Sequence, residues 1–504
     1  MKSVIELEPG RAVGRRDPKI YGQFVEHFHR QVYGGIYEPS SPLADEEGMR
    51  KDVLEAVAAI RPAVVRWPGG CFVSAYHWKN GVGAQRVPQF DKAWRVEESN
   101  RFGTDEFIRF CRKVKAEPFI CTNAGTGTPE EMADWVEYCN LSGQGRWAGL
   151  RIAGGHAEPY HVRYWSIGNE NYGSWEMGAK SAAEWGPFVR ESAKLMKAVD
   201  PSIELSAATV ADRDWNTILL REAASLLDWI SIHHYWDPLW ENNDLSVYET
   251  CMAYTLTIGE QIESVERILS ALGYLGKIRI AFDEWNLRGW HHPRGGSAEE
   301  NLRARDKNDM NESYTMADAV FSACFLNQCL SHCNTVGMAN FAPLVNTRGA
   351  IFTHPDGIVL RPTYHVFRMY SALMGESVID AGIRHNPLFE APMGIEMALV
   401  PAVEAVGTRS ADGGLQVAVV NRHPDRPVEV EILYAGAPEF GKAVLHSLAG
   451  SSKDSYNDIE RPDDVGIECS KVPIRQKDGM ILELPPHSVH VLCLSVEQPK
   501  GVSL

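Results

Sequence analysis

Two short apolar runs in this chain each end in a glutamate. One is Tyr164-Trp165-Ser166-Ile167-Gly168-Asn169-Glu170, the other Phe282-Asp283-Glu284-Trp285-Asn286. A carboxylate at the end of a run that should be buried serves no packing purpose, and two that converge on one site suit hydrolysis of an acetal. One carboxyl stays protonated to donate to the leaving oxygen, and the other is ionised and attacks the anomeric carbon. Repulsion across a short gap, together with burial, holds one proton and releases the other. Asn169 is placed to hold a sugar hydroxyl beside the reacting carbon, and Tyr235 to donate to the attacking carboxylate. Other apolar runs end in His233-His234-Tyr235, in Arg66-Trp67-Pro68-Gly69-Gly70 and in Glu26-His27. A lone strand-end Glu is commonly a cap or surface residue, and a His-His pair commonly bonds neighbouring loops. Two glutamates with Asn before one and Trp after the other fit catalysis better.

The elements that must position these residues follow from periodicity. Candidate strands are Ile20–Phe24, Ala63–Arg66, Pro118–Thr122, Arg163–Ile167, Glu204–Ala208, Trp229–His233, Ile278–Phe282 and Thr335–Asn340. Helical patterns at Thr104–Ala116, Pro129–Asn140, Ser181–Val199, Ile258–Leu272 and Tyr314–Ser331 lie between them. Thr104 and Thr128 stand where helix N-caps belong. Eight alternating units predict a closed (β/α)8 TIM barrel over residues 18–375, with chemistry on the loops after the strands. From residue 376 to 504 the period becomes that of strands: Leu415–Val420, Val428–Tyr434, Ala443–Ser447, Met480–Leu484 and Val489–Leu494. This predicts a C-terminal antiparallel β-sandwich, which the strand-like N-terminus (residues 1–17) is expected to join. His292–Lys307 and Gly450–Asp464 are polar, lack a pattern and are expected to be disordered.

With 504 residues, two domains are the default. A net charge of −16 argues against nucleic acid or an anionic membrane as partner. The N-terminus lacks the apolar core of a secretory signal, and no stretch is apolar for the roughly 20 residues that cross a bilayer. Ten cysteines without a CxxC pair read as free thiols in a reducing compartment, and Cys324, Cys329 and Cys333 as part of an apolar helix rather than a metal site. A cytoplasmic protein is expected, and no spacing for a dinucleotide or phosphate loop occurs.

The chain resembles glycoside hydrolase family 51, the intracellular α-L-arabinofuranosidases, over nearly its whole length. The resemblance is carried by Tyr21-Gly22-Gln23-Phe24-Val25-Glu26-His27, Val32-Tyr33-Gly34-Gly35-Ile36-Tyr37, Arg66-Trp67-Pro68-Gly69-Gly70 and Phe102-Gly103-Thr104-Asp105-Glu106-Phe107. It continues through the two Glu motifs, Leu344-Val345-Asn346 and Leu484-Pro485-Pro486-His487-Ser488-Val489. Asn-Glu after the fourth strand is common to many barrel glycosidases, whereas the Glu-His, Gly-Gly-Ile-Tyr and Arg-Trp-Pro-Gly-Gly blocks are more specific. The resemblance implies a retaining mechanism, with Glu170 as acid/base and Glu284 as nucleophile. It implies an arabinose-containing oligosaccharide as substrate, a pocket lined by Glu26, Arg66, Asn169, His233 and Tyr235, no metal or other cofactor, and a hexamer.

Two positions that usually touch the sugar depart from the family pattern. Cys71 stands where many members have Asn, and Pro343 where many have Gln. Alternatives left open by the residues are the same machinery on a β-D-xyloside, a β-D-galactofuranoside or a glucan, exo or endo action, a carbohydrate-binding barrel without catalysis, and a metal-dependent isomerase. The last would need three or four convergent His and acid ligands. A Cys thiol is a weaker donor and acceptor than an amide, and a lost neutral hydrogen bond costs about 0.5–1.5 kcal/mol, roughly two- to tenfold. Arabinofuranoside hydrolysis is therefore expected to persist with side activity on a related furanoside or β-xyloside. Cys71→Asn should raise kcat/KM for the arabinofuranoside relative to those substrates. An unchanged ratio in wild type and variant would show that the thiol is not the cause.

Overall fold

The computed structural model describes residues 1–291, 303, 305–437, 439–474 and 479–496. Eight parallel strands form the N-terminal sheet: Gly22–Phe24, Val64–Trp67, Glu117–Thr122, Tyr164–Ile167, Glu204–Ala207, Trp229–Asp237, Arg279–Arg288 and Val336–Phe341. Each pairs with its neighbour in chain order, and the first also pairs with the eighth. The fifth and sixth meet through a single parallel bridge, Ala208 to Ser231, so the barrel is nearly closed. Helices Lys51–Ile60, Thr104–Val114, Pro129–Asn140, Ala182–Val199, Arg213–Ala223, Ile258–Ala271, Met316–Ser331 and Pro362–Leu373 lie outside it.

Local chemistry explains where the elements depart from the expected bounds. The first strand starts late, because Asp17 accepts from the Lys19 amide at 3.1 Å and Pro18 opens a 3-10 turn, Pro18–Tyr21. Thr128 caps its helix by accepting from Glu131 N at 3.1 Å. Thr104 does not cap: Gly103 does, its amide donating to Glu106 at 2.8 Å, while the Thr104 hydroxyl accepts from Trp135 Nε1 at 3.0 Å. The sixth and seventh strands run past their expected ends, because the polar residues there are satisfied laterally by groups on neighbouring strands. His233, Tyr235 and Glu284 therefore sit within strands, with Glu284 opposite His233 and Asn286 opposite Tyr235.

The C-terminal region is β-rich. Its nine-stranded sheet runs in the order Ile467–Lys471, Phe440–Leu448, Ser488–Val496, Leu415–Asn421, Val403–Arg409, Ser377–Arg384, Lys2–Arg15, Val428–Leu433, Gly479–Leu484. All neighbours are antiparallel except Lys2–Arg15 and Val428–Leu433, which run parallel with Ile5 opposite Ile432. Alternation along a strand shows which face is buried but not which partner it takes, so this pairing is not readable locally. The segment Gly450–Asp464, expected to be disordered, is a series of turns: the buried Asn457 donates to Leu360 O at 2.7 Å and accepts from Val465 N at 2.7 Å. Of His292–Lys307, residues 292–302 lie outside the described residues except as a sequence, as does 304; Lys307–Asp309 is a 3-10 turn.

Helix Met316–Ser331 is apolar on nearly every side because it lies between barrel and sheet. Cys324 and Cys329 are buried on it as free thiols. Its one buried acid in the first turn, Asp318, accepts from Arg288 Nε at 3.2 Å, and Arg288 Nη1 reaches Asp237 at 2.6 Å. This ties the helix to the sixth and seventh strands. Arg288→Ala leaves two carboxyls buried without their cation, and should cost about 3–5 kcal/mol of stability. Urea denaturation would measure it; a loss below about 1 kcal/mol would show that the pair is not structural.

Candidate active site

The barrel gathers the singled-out polar residues at one end. The floor is Arg66, fully buried at the end of the second strand. Its Nη1 donates to Glu284 Oε2 at 2.7 Å, its Nη2 to Asn169 Oδ1 at 2.8 Å, and its Nε lies 3.5 Å from Asp283. One guanidinium thus spans the second, fourth and seventh strands, using the planar fork that Lys lacks. Burial opposes its charge, but Cys121, Asp283 and Glu284 raise its pKa still further.

Glu284 receives a second donor, Tyr235 O–H, on its other oxygen at 2.5 Å. Both oxygens are therefore fixed and the carboxylate plane is set. Glu170 leaves the fourth strand through Gly168, at φ 71°, and itself sits at φ 45°. A methyl on Gly168 would lie 2.1 Å from Asn171 Oδ1, the atom that accepts from Asn169 N at 3.1 Å, so only glycine fits the turn. Glu170 Oε1 lies 3.1 Å from His233 Nδ1, and its Oε2 accepts from Trp175 Nε1 at 2.8 Å. Burial works against ionisation of Glu170, but His233, Trp175 and Arg66 outweigh it and hold the carboxyl below the usual range. His233 is raised to about 10: burial opposes its charge, and Glu284, Asp283 and Glu170 surround it. One oxygen each of Glu170 and Glu284 and one His233 nitrogen lie within 4.8 Å of one another.

Glu26 closes another side. Its Oε1 accepts from Phe72 N and Trp94 Nε1, each at 3.1 Å. Burial, with Glu284 nearby, pushes its pKa up to about 8, so at neutral pH it can donate as well as accept. Gly69 and Gly70 do more than turn the chain: methyls there would come within 2.9 and 2.7 Å of the Glu26 side chain. Trp94 packs on Phe28 at 4.3 Å between centroids, as Trp290 does at 4.5 Å, making an apolar wall. Cys71 opens the 3-10 helix Cys71–Ala75 and its sulfur faces Glu170 and Glu176. His77, a candidate to replace the missing amide at position 71, is engaged by Glu131 at 2.9 Å. His234 points the other way, against Trp236 at 4.7 Å, and burial lowers it to about 4. The adjacent histidines therefore do not act as a pair.

Several residues here went unassigned in the sequence. Asp283 is fully buried and accepts from Ser231 at 2.5 Å, and its place in the Asp-Glu-Trp-Asn motif was the available signal. Arg348 lies 4.6 Å over the Tyr235 ring and 3.2 Å over Trp290, and Glu176 lies buried beside Asn169. Neither carries a local signal, since both are brought in by loops. Two sets of donors are close enough to hold a cation, Cys71 with Glu170 and Glu176, and Glu170 with His233 and Glu284. A cation on the second set would have to displace the His233 proton.

Two family models match this chain. Residues 56–252 match the α-L-arabinofuranosidase 1 domain and residues 283–488 the α-L-arabinofuranosidase C-terminal domain. The chain is 33% identical over 497 residues to α-L-arabinofuranosidase C of Emericella nidulans, covering 93% of each protein. The chain belongs to glycoside hydrolase family 51, the α-L-arabinofuranosidases. It is 33% identical to an intracellular exo-α-(1→5)-L-arabinofuranosidase of Halalkalibacterium halodurans, over 83% of this chain and 84% of that one. Its fold is similar to that of the Thermotoga maritima α-L-arabinofuranosidase in complex with arabinose. There the TM-score is 0.88 and the identity 36%, over 98% of this chain and 100% of that one. No helix among the described residues is long and apolar enough to cross a membrane.

Proposed function

We propose that this chain is a retaining, exo-acting α-L-arabinofuranosidase, with Glu284 as nucleophile and Glu170 as acid/base. The observation that carries the mechanism is the short gap between these carboxyls, within 4.8 Å at their facing oxygens. Retention uses a separation of about 5–5.5 Å, whereas inversion leaves room for a water at roughly 6.5–9.5 Å. Glu284, oriented by Arg66 and Tyr235, attacks the anomeric carbon as the bond to the leaving oxygen breaks. Glu170 gives that oxygen its proton, then takes a proton from the water that displaces Glu284. Between turnovers that proton rests on the His233–Glu170 pair, on the histidine side. Asn169 and Glu26 hold sugar hydroxyls, and the Trp94–Trp290 wall takes the ring's apolar face. Cys71 and Pro343 touch the same sugar.

The substrate is a terminal arabinofuranosyl group of an arabinose-containing oligosaccharide, as the relatives' names support, and the reaction is placed in the cytoplasm. We take residues 18–375 as the catalytic unit and 1–17 with 376–504 as the β-rich unit; the pairing of Lys2–Arg15 with Ser377–Arg384 supports this division.

Glu170→Ala should cripple hydrolysis of arabinofuranosides with poor leaving groups, yet spare formation of the glycosyl-enzyme from activated aryl arabinofuranosides. Glu284→Ala should abolish both, and wild-type turnover should survive EDTA. Equal losses on both substrate types in Glu170→Ala would overturn the assignment of roles.

Association of copies, a hexamer by family resemblance, is the further part of this reading. It is supported by a two-stranded hairpin, Leu388–Met393 with Glu396–Pro401, that exposes Leu388, Ile395, Met397 and Leu399. Sedimentation should find an oligomer that a Met397→Glu, Leu399→Glu double variant weakens; a monomeric wild type would refute this.

A further inference from the structure

One buried carboxyl stands beside Glu170 without a role in the two chemical steps. Glu176 lies in the loop after the fourth strand and is 4% exposed. Asn169 Nδ2 lies 3.4 Å from its Oε2. One of its oxygens, the Cys71 sulfur and a Glu170 oxygen all fall within 4.8 Å of one another. Ser74 and Cys71 lie beside it on the loop after the second strand and ease its ionisation. Its charged surroundings are acids: Glu170 from its own loop and Glu284 from the seventh strand oppose its ionisation, and it opposes that of Glu26. Burial first, then these like charges, push it up to about 7.

If the only task here were to pin Asn169 and Cys71, an amide would do it without the desolvation cost of a buried charge. What a carboxyl adds is a charge that answers to pH next to Glu170. We propose that Glu176 is a positioning residue for the proton shared by Glu170 and His233, its like charge strengthening the pair's hold on the proton that goes to the leaving oxygen. The inference rests on Glu170 being the acid/base. The groups that face Glu170 pull it the other way: His233 from the sixth strand, Trp175 from its own loop and Arg66 from the second strand all favour the carboxylate. Tyr172 and Tyr235 are held neutral by burial and by Glu170 and Glu284, so among the described neighbours it is the acids that counter those cations. As pH rises and Glu176 ionises, the proton that Glu170 and His233 share is held to higher pH. The proton leaves Glu170 for the glycosidic oxygen in the first step and returns from water in the second, and Glu176 undergoes no net change.

The test is the pH dependence of kcat/KM on an alkyl arabinofuranoside, whose poor leaving group needs the acid. Its alkaline limb reports the acid in the free enzyme. Glu176→Gln keeps shape and hydrogen bonding without charge, and should move that limb down by about one pH unit, an approximately tenfold loss above the wild-type limb. Glu176→Asp, with its charge drawn back, should give an intermediate shift. In a Glu170→Ala background the Gln substitution should leave the pH profile alone. A limb unmoved in Glu176→Gln, or in Glu176→Asp if the amide variant does not fold, overturns the proposal. The two readings fail separately: Glu170→Ala with undiminished activity on the alkyl substrate would sink the acid/base assignment. A crippled Glu170→Ala beside an unmoved limb would sink only the role of Glu176.

Discussion

The site depends on one cation placed where no water reaches it. Arg66 is fully buried and bonded to the fourth-strand loop and the seventh strand at once. Without it, Asp283 and Glu284 would stand side by side in a low dielectric, where like charges cannot both persist. With it, the two acids become anchors for the barrel end. Burial works against Asp283 as an anion, but Arg66, His233 and Ser231 hold it below the usual carboxylate range. Asp283 in turn holds His233 from its Nε2 side at 3.3 Å, which aims Nδ1 at Glu170. The position of Glu170 is therefore fixed from that of Glu284 through a single guanidinium and a single imidazole.

That economy leaves a charge imbalance. Glu26, Glu170, Glu176, Asp283 and Glu284 face Arg66, His233 and the more distant Arg348. A buried region does not sustain excess negative charge, so protons make up the difference on the groups without a cation beside them. Glu26 and Glu176 are those groups, and both are raised toward or above neutrality. A sugar whose hydroxyls both donate and accept suits a wall of carboxyls that are partly protonated.

Much of this was legible in the sequence because it is periodic or local. Alternating strand and helix patterns give the barrel, and glutamates at the ends of apolar runs give the two carboxyls. Less legible was what long-range contacts decide. Local reading ends the seventh strand before its first charge and the sixth at His233, yet both run on, since Arg66 satisfies Glu284 from across the barrel and Asp283 holds His233 from the neighbouring strand. Glu176 and Arg348 sit in loops with no pattern of their own, and only the turn through Gly168 and the fold of the loop after the eighth strand bring them in. The parallel pairing of the N-terminal strand joins segments more than 400 residues apart, as in Ile5 with Ile432.

The β-rich region bears on the site through packing. Trp285, the residue after Glu284, stacks on Phe325 at 3.6 Å between centroids. Phe325 belongs to helix Met316–Ser331, which also packs on strands Val403–Arg409, Leu415–Asn421 and Ser488–Val496 of the nine-stranded sheet. The backbone carrying Glu284 is thus held on its outer side by a ring, a helix and a sheet in succession, and on its inner side by Arg66 and Tyr235. A nucleophile must meet the anomeric carbon within a few tenths of an ångström of the reactive geometry. Two donors on its oxygens set its plane, but they can do so only if the strand does not shift. An apolar helix pressed between barrel and sheet supplies that constraint without placing another charge near the site.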